Sequence, residues 1–251
     1  MRQYVIASIL IILGLLSLII KTKLATSNNP INLYISDLPS TFLITGLLSL
    51  LFKLVQDKET MSSIRKLFKI HESIDVIGLK EIHSSSSNYN YENIIINSDT
   101  LSIVMNDGQR WVGNNIVALE KRFCKKSDLF IFLVHPESKF LDILAEKTNN
   151  DDTEGLKNKI NSTVSRIKEA YEKSTKKGNV IIYGINKVFP TKSIFLTEDT
   201  LLETPYQTSS GRVTIPMYIY EKVSYQNSIY EFVAHDIEEL KKESEKIWGT
   251  K

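Results

Sequence analysis

The apolar positions divide the chain into a front that contains two long apolar runs and a longer remainder in which apolar and polar residues alternate. One uncharged run extends from Tyr4 to Ile20, and a second apolar run extends from Pro39 to Val55. A helix needs about 20 apolar residues to cross a bilayer, so both runs are at the short end of that length. They predict a transmembrane helical hairpin in residues 1–55.

The first run has an alternative interpretation as a cleaved signal peptide. Ala25, Thr26 and Ser27 then form the cleavage site. Two lysines, Lys21 and Lys23, follow the run directly, and a second apolar run comes next. Both features favour an uncleaved hairpin in contact with the lipid bilayer.

Flanking basic residues predict how the hairpin is oriented, because cytoplasmic loops carry the excess of Lys and Arg. Arg2 precedes the first run, and the 21–38 loop holds two lysines. The flank after the second run is more basic and contains Lys53, Lys58, Arg65, Lys66 and Lys69. We therefore expect a multi-pass membrane protein with both termini in the cytoplasm.

Residues 56–73 are predicted to form a basic amphipathic connector. Ile64, Leu67 and Phe68 are spaced three and four apart, with basic residues off that stripe. Such a segment continues the second membrane helix, lies on anionic headgroups or packs on the following domain. The sequence leaves these placements open.

Residues 74–251 alternate between strand and helix patterns. Strands are predicted at 76–82, 101–105, 128–134, 179–183, 193–196 and 212–220. Helices are predicted at 91–96, around 116–123, and at 139–146, 153–177 and 228–248. The runs 128–134 and 179–183 are apolar after their first residues, Asp128 and Asn179, which is typical of strands buried on both faces. This alternation predicts a cytoplasmic α/β sandwich with a mixed sheet.

Charge and cysteine content narrow the function classes. The 31 basic and 29 acidic residues leave a net charge of +2, which excludes the global basic field of a non-specific nucleic-acid binder. Cys124 is the only cysteine, so there is no disulfide framework, as expected in a reducing compartment.

Metal and cofactor motifs are absent from the sequence. The four histidines are far apart, and no CxxC or HExxH occurs. The sequence also lacks GxxxxGK[ST], GxGxxG and GxSxG. We therefore predict no metal and no cofactor.

A basic run in the helix around 116–123 is the clearest charge cluster. It consists of Lys121, Arg122, Lys125 and Lys126, which lie off the apolar stripe of that helix. A solvated helix face is the usual explanation of such a run. The alternative is a contact with an anion or a nucleic acid.

Three segments carry a resemblance to a known family. The segment 134–139 follows a buried strand, 190–197 stands at the place of an HxKxxxxD motif, and 216–248 forms a closing strand and helix. Together they resemble the phospholipase-D-like domains, over residues 74–251. The resemblance implies that family's α/β fold.

The motif itself departs from the family pattern. The histidine position, which in the family attacks phosphorus, holds Pro190, and the aspartate position holds Thr197. Only Lys192 matches the family. Proline offers no nucleophile, so a phosphohistidine intermediate cannot form. The resemblance therefore predicts a catalytically degenerate domain and no enzyme.

A degenerate domain behind a membrane hairpin is similar to the two-transmembrane effectors of bacterial antiphage systems, including retron effectors. The resemblance implies a toxin of abortive infection whose domain is held or triggered by a partner while the hairpin disrupts the membrane. The implied partner is a reverse transcriptase with its RNA–DNA product, or another sensor protein, and a homo-oligomer is a further possibility. Alternatives are a membrane-tethered phosphodiesterase or nuclease, and a non-toxic membrane scaffold.

Polar side chains near predicted strand ends are the candidate binding residues of the domain. Strand ends bring chain segments together at one edge of a sheet, so ligands and partners often bind there. The candidates are His135, Glu137, Lys187, Lys192, Tyr206 and Arg212.

Overall fold

A computed structural model describes residues 2–24, 38–67, 73–148, 152–208, 214–225 and 228–250. The chain forms two compact units, residues 1–71 and residues 72–251. The first unit contains the helices α1 (Arg2–Leu24) and α2 (Leu38–Leu67). The predicted span from Tyr4 to Ile20 lies within α1, and the span from Pro39 to Val55 lies within α2.

Glycine residues let α1 and α2 pack closely. A Cβ atom built on Gly46 would lie 3.1 Å from the backbone nitrogen of Ile11 and 3.2 Å from the carbonyl oxygen of Ala7. A Cβ atom on Gly14 would lie 3.1 Å from the backbone nitrogen of Leu43. Later positions on α1 meet earlier positions on α2, so the two helices are antiparallel. Close backbone approach of this kind is how helices associate without a hydrophobic drive between them.

The large apolar side chains of the first unit mostly face away from the helix pair. Ile44 is 57% exposed and Phe52 is 70% exposed. Among the described residues, one helix is long and apolar enough to cross a membrane, at Pro39–Ile64; the apolar part of α1, Ile6–Ile20, is shorter. Crossing by both helices and cytoplasmic termini therefore stay predictions.

Most of the predicted connector belongs to α2. The helix continues past Val55 to Leu67, and a pair between Lys53 Nζ and Asp57 Oδ1 at 2.5 Å supports the continuation. Residues 68–72 of the connector lie outside the described residues.

The second unit contains helices and an eight-stranded mixed sheet among its described residues. The strands are β1 (Leu79–His83), β2 (Thr100–Val104), β3 (Asp128–Val134), β4 (Asn179–Ile185), β5 (Lys192–Leu196), β6 (Thr200–Pro205), β7 (Met217–Glu221) and β8 (Glu245–Gly249). The helices are α3 (Ser73–Ile77), α4 (Glu92–Asn97), α5 (Gln109–Phe123), α6 (Phe140–Thr148), α7 (Thr153–Lys173) and α8 (Ile229–Glu243), with a 3-10 turn at Ser86–Asn88.

The strand order confirms the predicted mixed sheet. Across the sheet the strands run β1, β7, β6, β5, β2, β3, β4 and β8. The strands β2, β3 and β4 are parallel, and every other pairing is antiparallel. The phospholipase-D-like assignment of this sheet remains a proposal.

Helices cover both faces of the sheet, which explains the continuous apolar strands. On one face Ile131 and Phe195 pack in a core with residues of α4, α5 and α7. On the other face Phe132 and Ile194 pack against α8. Neighbouring residues of β3, and likewise of β5, therefore point into different cores. Because both faces of β3 are covered, polar residues do not alternate with apolar ones in the run 128–134.

Several predicted boundaries were wrong, each for a local reason. The first strand was predicted at 76–82, but Gly78 has φ +78°, so α3 ends before it and β1 starts after it. The long helix was predicted to reach residue 177. It ends at Lys173, because the Ser174 N–H already bonds the Tyr171 carbonyl.

Two sheet strands were not predicted as strands. β8 lies in a segment that was predicted as the end of the closing helix, whereas α8 stops at Glu243 and Trp248 pairs with Ile182 of β4. β6 was not predicted at all. The segment 212–220 was predicted as one strand, but β7 begins only after Pro216, and β1 pairs with its outer side.

Arg122 does not belong to a solvated basic face, and this corrects the interpretation of the basic run. Its side chain is 1% exposed. Its guanidinium donates to the carbonyl oxygens of Ile95 and Ser98 at 2.8 Å each, Asp99 at 3.2 Å and Asp128 at 2.6 Å. Burial lowers the pKa of Arg122 to about 10, so the group is still a cation at neutral pH.

We predict that replacing Arg122 by Leu lowers the free energy of unfolding by about 3 kcal/mol or more. The change removes the guanidinium donor from the buried carbonyl oxygens of Ile95 and Ser98 and from the partly buried carbonyl oxygens of Asp99 and Asp128. The measurement is denaturant unfolding of the detergent-solubilised chain. Lys126→Ala, an exposed residue of the same run, is the control and should change the stability by less than about 0.5 kcal/mol. Equal effects of the two changes would contradict the structural role of Arg122.

Candidate ligand-binding site

A cavity of about 530 Å³ opens at the carboxyl end of β2. The first turns of α5 form one side, and β5 and the end of β6 form another. This volume is within the range of small-molecule sites, about 300–1,000 Å³. The cavity is therefore the strongest candidate site of the second unit.

A sharp turn between β2 and α5 shapes the floor of the cavity. The turn residues Asn106, Asp107 and Gly108 follow β2 directly. Gly108 has φ +66°, and a Cβ atom there would lie 3.0 Å from Met105 Cε. Gly108 is the N-cap residue of α5, and Asp107 Oδ1 accepts the N–H of the first helical residue, Gln109, at 2.8 Å. Asp107-Gly108 is a turn signal in the sequence, whereas that signal does not mark the cavity beside it.

Aromatic rings form much of the wall. Tyr89, Trp111 and Tyr206 line the cavity and are partly exposed. Buried rings support them from behind: Tyr91 lies 5.0 Å from Tyr89 and 5.7 Å from Trp111, and Phe195 lies 5.1 Å from Trp111, measured between ring centroids. Edge-to-face and tilted contacts of this kind hold the rings in place.

Hydrogen-bonding capacity in the wall is left unused by the described residues. The buried atoms without a partner there are Asn106 Oδ1, Trp111 Nε1 and Thr204 Oγ1. Tyr206 Oη accepts the Asn106 N–H at 3.2 Å. Burial raises the pKa of Tyr206 above its ordinary value, so the hydroxyl keeps its proton and can donate it. The wall therefore contains buried donors and an acceptor whose hydrogen bonds the described residues leave unmade.

The charges around the cavity cancel. Among the described lining residues the charged side chains are Asp107 and Arg110. Because Asp107 already occupies the start of α5, the helix N-terminus is not an open anion site. The cavity therefore suits a ligand whose buried part is neutral.

Lys192, which matches the lysine of the HxKxxxxD motif, does not line this cavity. It lines a smaller cavity of about 290 Å³ between β5 and α8. Its Nζ pairs with Glu203, whose carboxylate is largely buried. The rest of this cavity includes Asp236 and Glu239, so the lysine faces negative charge.

The other two motif positions have structural surroundings. Pro190 is buried beside the same smaller cavity. Thr197 Oγ1 accepts the Thr200 N–H at 2.9 Å, and Thr197 O accepts the Tyr230 hydroxyl at 2.6 Å. Thr197 therefore closes the turn between β5 and β6.

The six predicted binding residues do not converge on one site. Tyr206 lines the larger cavity and Lys192 the smaller one. His135 packs against Gly184, with Nε2 3.7 Å from Glu245 Oε2, and Glu137 pairs with Lys157 at 3.2 Å. Lys187 is exposed after β4, and Arg212 lies outside the described residues.

In the described part of the chain, no cluster of three His, Cys, Asp or Glu side chains could hold a metal ion.

The cavity residues that sequence reasoning missed are Asn106, Trp111 and Thr204. A signal existed for one of them, since Trp111 stands three residues after a turn that follows a buried strand.

Comparisons with known proteins identify no family for this chain. No protein-family model matches it, and no curated protein matches it. Among solved structures it is similar to TrmBL2, an archaeal chromatin protein whose structure shows a novel mode of DNA binding. The TM-score is 0.40 at 10% identity, over 84% of this chain and 70% of that chain. A likeness of this degree carries no inference about function.

We predict that Thr204→Val stabilises the protein, because it removes a buried hydroxyl that has no partner among the described residues. The expected gain is about 1 kcal/mol, or about 2–4 °C in the melting temperature. Thr163→Val is the matched control. Its hydroxyl donates to Asp107 O at 2.8 Å, so the same substitution should lower the melting temperature. A loss of stability in both variants would show that Thr204 does have a partner.

Proposed function

We propose that the chain is a membrane effector of a bacterial antiphage defence system. In this proposal α1 and α2 disrupt the inner membrane, and the α/β unit restrains them until it is triggered. The observation that carries the proposal is the exposed apolar surface of α1 and α2. Soluble proteins rarely expose contiguous apolar surface of this extent, and a bilayer is the solvent that suits it.

The α/β unit supports a regulatory role better than a catalytic one. In the phospholipase-D-like interpretation the nucleophile position is Pro190, which has no reactive side chain. Thr197 is committed to a turn and Lys192 to an ion pair with Glu203. A degenerate phospholipase-D-like domain with these residues binds but does not turn over a substrate.

A trigger can act only if it binds one state of the α/β unit more tightly than the other. The resemblance to retron effectors makes a reverse transcriptase with its RNA–DNA product the first candidate partner, and another sensor protein the second. Once released, the helices associate as a homo-oligomer in the membrane. Gly14 and Gly46 already pack α1 against α2 within one chain, so association between chains uses the exposed apolar faces of the two helices.

We predict that expression of the chain without its partner arrests growth and depolarises the inner membrane, and that Leu47→Lys abolishes both effects. Leu47 is 52% exposed on α2, and a lysine near the middle of a span costs roughly 2.5–3.5 kcal/mol of insertion free energy. The measurements are growth curves and a potential-sensitive dye. Ser62→Lys, on the polar end of α2, is the control that retains toxicity. Full toxicity of the Leu47 variant would overturn the proposal.

Two alternatives make different demands on the chain. A membrane-tethered phosphodiesterase or nuclease depends on Lys192, and a scaffold gives a phenotype on depletion and not on expression. We predict that Lys192→Met combined with Glu203→Gln leaves toxicity unchanged; the second substitution avoids a buried unpaired carboxylate. Loss of toxicity in a variant that still folds, shown by an unchanged melting temperature, would favour the enzyme.

A further inference from the structure

We propose that the cavity at the carboxyl end of β2 binds a nucleotide, with the base against the aromatic wall and the phosphate near Arg110. The nucleotide is either free or part of a single strand. This site stands on the geometry of the cavity. Its role as the trigger of the effector rests on the function proposed above.

The aromatic wall is suited to stacking. Tyr89, Trp111 and Tyr206 present partly exposed rings to the cavity, and Tyr91 and Phe195 buttress the first two from the core. Stacking of a base on an aromatic side chain is worth about 1–3 kcal/mol. Rings that are already fixed lose little conformational entropy when the base binds.

The polar groups of the wall fit a heteroaromatic ring better than a hydrocarbon. Trp111 Nε1 and Tyr206 Oη are donors, and Asn106 Oδ1 is an acceptor that lacks a partner among the described residues. A base edge carries donors and acceptors side by side, which is why a side-chain amide can pair with it twice. An occupant of this kind satisfies polar groups that are otherwise costly to bury.

Arg110 stands at the mouth of the cavity, where the phosphate of a bound nucleotide would protrude. Asn114 follows Arg110 by four residues and Trp111 by three, so on α5 it neighbours both of them. Arg110 and Asn114 are exposed members of the cavity lining. A guanidinium binds phosphate oxygens through charge-assisted hydrogen bonds. Among the described lining residues Arg110 is the cation, and this cation beside a neutral interior matches a neutral base that carries a charged phosphate.

This cavity is separate from the motif position of the phospholipase-D-like interpretation. Ser193 and Phe195 of β5 line the cavity, whereas Lys192 and Ile194 of the same strand line the smaller one beside α8. Alternate residues of a strand point to opposite faces of the sheet. The proposed site does not use the residues at which the family acts on phosphodiesters.

The test follows the fluorescence of Trp111 in the full chain in detergent micelles. The chain has two tryptophans, so Trp248→Phe makes Trp111 the sole reporter. AMP, GMP, CMP and UMP are titrated in turn, with the matching nucleosides and short single-stranded oligonucleotides. We expect a saturable change in Trp111 fluorescence with at least one nucleotide. Tighter binding of an oligonucleotide than of its mononucleotide assigns the ligand to a strand, and equal or weaker binding assigns it to a free nucleotide.

Variants at the mouth separate the base from the phosphate. Asn114→Ala should weaken binding of both nucleotide and nucleoside about tenfold, the scale of one side-chain contact with a base edge. Arg110→Ala should weaken binding of the nucleotide and leave the nucleoside unchanged. Lys126→Ala is the control, because Lys126 is exposed just beyond the far end of α5. All three residues are exposed, and unchanged melting temperatures show that the variants fold.

Three results would overturn the site: no saturable response to any nucleotide, affinities that neither Asn114→Ala nor Arg110→Ala changes, or saturable binding of monosaccharides in place of nucleotides. The outcome is independent of the effector proposal, because binding is read without toxicity. Nucleotide binding in a chain whose expression is harmless would retain the site and remove its role as a trigger.

Discussion

The burial of the Arg122 cation is the constraint on which the second unit depends. A guanidinium taken out of water needs other oxygen atoms around it, and backbone carbonyls of the segments before β2 and at the start of β3 supply them. These segments must therefore meet at the end of α5. Because α5 is roughly 22 Å long, a contact at its last turn also fixes where its first turn lies. The cavity lies at that first turn. The Arg122 contacts at the other end of α5 therefore also fix the position of the cavity wall.

The parts of the fold that could be predicted are those in which local pattern and final environment agree. The strand β3 was predicted with its observed bounds, since a run of apolar residues fits burial on both faces. The missed strands lack that agreement. In β6, Glu203 and Thr204 occupy buried positions because a lysine and a cavity lie beside them, and neither neighbour is near in sequence. The strand β8 lies at the edge of the sheet and pairs only with β4. Its pattern of apolar and polar residues resembles that at the end of a helix.

The candidate site was less accessible to prediction for the same reason. Its wall combines Trp111 with Phe195 and Tyr206, and antiparallel pairing between β2, β5 and β6 brings them together. The spacing of residues along the sequence does not indicate which strands pair. The basic run gave the opposite error: position on the helix indicated a solvated face, but α4 covers the face on which Arg122 lies. Hydrophobic periodicity cannot detect a buried cation whose partners are carbonyl oxygens.

The unbroken length of α2 has a mechanical consequence. Thirty helical residues measure about 45 Å, whereas the hydrocarbon core of a bilayer is about 30 Å thick. In the proposed membrane arrangement, about 15 Å of α2 therefore lies past the hydrocarbon as continuous helix. Because a continuous helix transmits rotation along its axis, turning the polar end at Ser62 also turns Leu47. In that arrangement a contact that rotates the end of α2 changes which side chains of the span face a neighbouring helix.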